Sequence, residues 1–140
     1  MKVRVLGVAV AVMVVSVFFL NGGQAQADIQ AIYAVDNLFT ALNAGQVDTA
    51  ATLFAADAVV ANRVRDQTYV GADEIRQMLE AMPKESRQFD IVRAQMVGDT
   101  VTLDVEISDR GIAWATETFV AEISDGKVQT LDVTAVRLKL

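Results

Sequence analysis

At Pro83, the only proline in the chain, the hydrophobic period changes. Before it, apolar residues recur every three or four positions. After it they recur every second position, nearly to the C-terminus. A chain patterned in this way suits neither an all-helical bundle nor an all-strand sandwich. It is expected to lay helices from its first half on a sheet built by its second, an α+β arrangement.

The helical half begins near Asp28, a plausible N-cap. Ile32, Val35, Phe39 and Leu42 form one stripe, which Tyr33 and Leu38 widen. Asn43-Ala44-Gly45 ends it, with Gly45 free to adopt the left-handed conformation that closes helices. A short helix over Val47–Phe54 follows, with Asp48 in its first turn where the helix dipole favours an acid. Ala55-Ala56-Asp57-Ala58 reads as the exit from that helix, Asp57 bonding to nearby backbone amides. Val59–Arg65 and Gln67–Val70 are then expected as strands around a turn near Arg65-Asp66. A third helix opens at Asp73-Glu74, carries Ile75, Met78, Leu79 and Met82 on one face, and stops at Pro83.

In the strand half, Phe89 and Ile91 alternate with Gln88 and Asp90. Val101, Leu103, Val105 and Ile107 alternate with Thr102, Asp104, Glu106 and Ser108. Gly98-Asp99 and Asp109-Arg110-Gly111 mark turns. Ile112–Ile123 and Lys127–Leu138 meet across Ser124-Asp125-Gly126. Short connections require antiparallel neighbours. The expected order is therefore α-α-β-β-α-β-β-β-β.

The first 27 residues stand apart. Lys2 and Arg4 precede an apolar run, Val5–Leu20, and Ala25-Gln26-Ala27 fits a signal-peptidase site, so cleavage is expected after Ala27. The run would make about 24 Å of helix, short of the roughly 30 Å bilayer core. An exported domain, periplasmic or extracellular, is expected, with membrane contact only if the segment stays uncleaved. Without Lys2 and Arg4, the remaining residues hold 10 basic against 18 acidic side chains, a net charge of −8. That balance argues against nucleic acid as a partner. The absence of His and Cys excludes a Ser-His-Asp triad, a Cys nucleophile, a disulfide framework and ordinary zinc or copper sites. No cofactor and no metal are expected.

One stretch is more specific. Leu38-Phe39-Thr40-Ala41-Leu42-Asn43-Ala44-Gly45-Gln46-Val47-Asp48, followed by Leu53-Phe54-Ala55-Ala56-Asp57-Ala58-Val59-Val60, resembles the "ALNAGD…LFADDA" signature of the nuclear-transport-factor-2-like superfamily. That group includes SnoaL-like polyketide cyclases, ketosteroid isomerases and limonene epoxide hydrolases. Tyr69-Val70-Gly71 running into Ile75-Arg76, and Asp125-Gly126-Lys127-Val128, are similar to further parts of the pattern. The resemblance covers residues 29–138. It implies a cone: a curved, mostly antiparallel sheet packed on a long N-terminal helix and two shorter ones, with a ligand-sized cavity at its open end. It also implies a homodimer through the outer sheet face, where Trp114, Thr116, Thr118 and Val120 would sit.

The resemblance also tests the chemistry. Its isomerase tyrosine falls on Leu38 and its catalytic aspartate on Asn62, so two of three functional groups are replaced by side chains that cannot do their work. The third falls at Glu117 or Thr118. Epoxide-hydrolase residue types occur in Asn62, Arg63, Arg65 and Glu117, without a match position by position. Arg63 and Arg65 read either as a solvated strand face or as an anion clamp. Strand alternation sends Asn62 to the opposite side from them unless a bulge intervenes.

The pocket candidates are Glu117, Asn62, Phe39, Leu42, Phe54, Met78 and Phe119. Glu117 is the one charge among Ala113, Ala115, Phe119, Ala121 and Ile123. If that face lines the cone, its carboxyl lies in apolar surroundings; if a bulge reverses the face, it is solvated or paired with an Arg. Trp114 and Tyr33 read as core or interface aromatics, and Asp36 as the polar edge of the first helix. No catalytic residue is assigned. Three functions stay open: a non-enzymatic domain binding a small apolar molecule with one polar group, an enzyme of cyclase, isomerase or hydrolase type using Glu117, and a protein-interaction module.

Overall fold

The computed structural model of the chain describes residues 24–82 and 87–139. They form helices α1 (Gln24–Asn43) and α2 (Val47–Thr52), strands β1 (Phe54–Asn62) and β2 (Gln67–Val70), helix α3 (Gly71–Ala81), and strands β3 (Arg87–Val97), β4 (Thr100–Asp109), β5 (Ile112–Ser124) and β6 (Lys127–Leu138). The element order and the α+β class are those expected. The expected signal segment and Pro83 lie outside the described residues, apart from Gln24–Ala27 at the start of α1. Met82, which precedes Pro83, has left the helix with ψ 143°, the extended geometry that a following proline favours.

The strands make one open sheet in the order β2-β1-β6-β5-β4-β3. Neighbours are antiparallel except β1 and β6, which run parallel. Five irregularities bend it: Ala55–Ala58 of β1 standing against Gln129 alone, and an extra residue at Val92 in β3, at Trp114 in β5, and at Gln129 and Thr134 in β6. Each bulge adds local twist, so the sheet curls around the helices instead of lying flat.

Into that curl α1 presents Ile32, Val35, Leu38 and Phe39, all at most 5% exposed. They meet Val101, Leu103, Val105 and Ile107 of β4 together with Ala115 and Phe119 of β5. Tyr33, at 45% exposed, lies outside the stripe it was expected to widen. α1 closes in a Schellman motif. The Gln46 amide donates to Ala41 O (3.0 Å), the Gly45 amide to Leu42 O (3.1 Å), and Gly45 takes φ +70°. The adjoining Asn43 reaches the open sheet edge: its Nδ2 donates to Phe89 O and its Oδ1 accepts from the Phe89 amide, both at 2.7 Å.

One stretch departs from the sequence reading. α2 ends at Thr52, and Ala55–Ala58 belongs to β1 rather than to a helix exit. Alanine has the highest helix propensity, but propensity is a weak preference, and the sheet pairs on either side, Phe54 with Val128 and Val59 with Thr130, override it. Phe54 pairs with Val128, whose amide donates to Leu53 O at 2.8 Å. Asp57 accordingly bonds across the sheet, accepting from Gln129 Nε2 at 3.0 Å.

Candidate functional site

Between the curled sheet, α1 and α3 lies a cavity of about 340 Å³. Phe39, Leu42, Phe54, Asn62, Met78, Glu117 and Phe119, the seven pocket candidates, all line it. Phe39 centres the apolar part, with its ring 5.7 Å from that of Phe89 and 5.2 Å from that of Phe119, the latter edge-on. Glu117 faces inward because it shares the β5 face of Ala115 and Phe119, both buried.

The polar part differs from expectation in three places. β1 ends at Asn62, so Arg63 and Arg65 are turn residues, not strand residues. Asn62 Oδ1 accepts from the amides of Val64 and Arg65, both at 3.1 Å, and Asp66 takes φ +55°. This side-chain turn breaks the alternation. Asn62 and Arg65 therefore both line the cavity, while Arg63 pairs with Asp132 at 2.9 Å elsewhere. Trp114, placed by alternation on the outer sheet face, is the bulged residue of β5 and lines the cavity instead. The third difference is Arg87, which the sequence reading missed. Its guanidinium carbon lies 5.6 Å from the centroid of the Trp114 ring, within cation–π range. The signal was available: Arg87 is two residues before Phe89 and four before Ile91, on their face of β3.

The sequence profile of the SnoaL-like domain matches residues 35–131. The chain belongs to the SnoaL-like domain family. It is part of the nuclear-transport-factor-2-like superfamily, which includes ketosteroid isomerases and polyketide cyclases. Among solved structures, this SnoaL-like domain is similar to a nuclear-transport-factor-2-like protein of unknown function from Burkholderia xenovorans (TM-score 0.65, 19% identity, 79% of this chain and 83% of that one). It is similar to a candidate polyketide cyclase from Sinorhizobium meliloti (TM-score 0.63, 24% identity, 72% and 93%). A protein with a ketosteroid isomerase-like fold from Catenulispora acidiphila, in complex with trimethylamine, also matches (TM-score 0.62, 19% identity, 73% and 84%). At these identities the likeness shows the fold alone. No curated protein matches significantly.

Within the SnoaL-like domain, the positions of the isomerase pattern serve other ends. Leu38 is fully buried core, and the oxygen of Asn62 is held by two backbone amides. Thr118 donates to Asp104 Oδ1 at 3.0 Å, which leaves Glu117 as the carboxyl in the cavity. Burial pushes the Glu117 carboxyl above its ordinary 4.5, and the charges of Arg65 and Arg87 draw it partly back. Burial also raises Asp36, expected on a polar helix edge but lying beside Asn43 and Asp90. Among the described residues no cluster of His, Cys, Asp and Glu could hold a metal ion.

The raised Glu117 carboxyl has a consequence for stability. Its protonated form is favoured by folding, so its contribution is complete below the unfolded value near 4.5 and is lost as pH rises through the higher folded value. Glu117→Gln removes that loss. The variant is expected to melt above the wild type near neutral pH, by a small margin because the carboxyl is partly screened by water. The two should converge below about pH 4. Parallel melting curves across that range test this, and an offset unchanged by pH contradicts it.

Proposed function

We propose that this SnoaL-like domain is an exported, non-enzymatic binding domain that takes a small, largely apolar ligand into its cavity, where a carbonyl or hydroxyl of the ligand meets Glu117. The observation that carries the reading is the lining itself. One carboxyl is set among Phe39, Leu42, Phe54, Met78 and Phe119 around a volume of about 340 Å³, within the usual range for small-molecule sites. Binding is favoured over turnover because acid–base chemistry wants a second positioned group. Asn62 is an amide whose oxygen is committed to its own turn. Export rests on the charge and apolar pattern of the first 27 residues.

The raised carboxyl of Glu117 favours a second reading, in which it donates a proton to a bound substrate as a cyclase, isomerase or hydrolase acid. Native mass spectrometry of the purified protein tests the first reading by revealing a co-purifying small molecule. Titration with 2-naphthol, an apolar probe with one hydroxyl, tests Glu117 directly. Glu117→Gln is expected to weaken it by roughly 1–3 kcal/mol through loss of a charge-assisted bond. Unchanged affinity in the variant would remove Glu117 from the site.

A further inference from the structure

Arg87 and Arg65 give the cavity a charge opposite to that of the chain. The whole chain carries −6, yet among the described residues the charged ones lining the cavity are Arg65, Arg87 and Glu117, two cations against one carboxyl. Among the described residues the ion pairs engage Arg63, Arg76 and Lys139. Neither Arg65 nor Arg87 pairs with a carboxylate of the described residues, although Asp109 stands opposite Arg87 in the β3–β4 register. Arg87 Nε is buried and makes no hydrogen bond. A buried donor left unmatched costs stability, and a guanidinium is the side chain best shaped to hold a planar oxyanion with two parallel bonds. The Trp114 ring fixes the guanidinium plane without using any of its N–H groups.

We propose that the ligand is an amphipathic organic acid, its apolar body in the Phe39–Phe119 part of the cavity and its oxyanion held by Arg87 and Arg65. This deepens the binding reading and rests on it. Glu117 then meets a second polar atom of the same ligand.

The test uses 1-anilinonaphthalene-8-sulfonate and its neutral parent N-phenyl-1-naphthylamine, which differ by the anionic group alone. Trp114 is the only tryptophan of the chain and lines the cavity, so energy transfer from it follows the binding of either probe, and the two arginine variants tie that binding to this cavity. Arg87→Gln is expected to weaken the sulfonate probe roughly tenfold and leave the neutral probe within about twofold. Arg65→Gln, in an exposed turn where folding is not at stake, should shift the same contrast in the same direction. Equal losses for both probes in both variants, or no loss for the anionic one, overturn the proposal while the cavity reading survives. Energy transfer to neither probe in the wild type overturns both.

Discussion

Replacing Phe39 by alanine is expected to cost about 3–5 kcal/mol of folding stability. The side chain is 2% exposed and joins three elements, since α1 carries it while its ring partners Phe89 and Phe119 belong to β3 and β5. Edge-on and tilted ring pairs add about 0.5–1.5 kcal/mol beyond the area they bury. The lost ring also borders the ligand cavity, so its space would merge with an existing void instead of being refilled by neighbours. Urea denaturation of the wild type, Phe39→Ala and Phe39→Leu measures this. The leucine variant keeps most of the apolar volume and should lose distinctly less. A loss of under about 1 kcal/mol in Phe39→Ala would show that the helix and the two strands hold together without the ring.

Asn43→Ala is expected to cost about 2–4 kcal/mol, because it strips one amide and one carbonyl of their partners together. Asn43 gives Phe89 the donor and acceptor that a neighbouring strand would give, at 2.7 Å each. β3 is an edge of the sheet, and unpaired edge groups invite pairing with other chains. The expected result has two parts: a lower melting temperature, and faster hydrogen exchange at the Phe89 amide than at Ile91. Unaltered exchange at Phe89 would mean that the edge does not depend on this clamp.

How far the fold could be read in advance depended on what held each segment. α1 was legible because Ile32, Val35 and Phe39 keep a strict helical spacing, and β4 because Val101 to Ile107 alternate without interruption. Both patterns are local. Ala55–Ala58 was misread because its strand state depends on β6, more than seventy residues away in the chain. The cavity showed the same division. Phe39, Leu42 and Phe119 follow from periodicity, whereas Trp114 enters through a bulge and Arg65 through a turn built by the Asn62 side chain. A single extra residue reverses every facing beyond it, and nothing in an alternating string marks where it falls. Arg87 was overlooked for another reason: a charge at the first position of a strand reads as a solvated end.

β6 is the last strand of the chain, yet it lies inside the sheet between β1 and β5. A ribosome therefore delivers β1 and β2 long before the strand that must join them to the rest. Until β6 emerges, β3, β4 and β5 can zip together as successive hairpins, while α1, α2 and β1 wait without their parallel neighbour. Closure across so long a separation is slow, because loop entropy is spent before the contact repays it. β1 can therefore pair only with β2 until β6 is made, and the two halves of the sheet join only once Lys127–Leu138 are free.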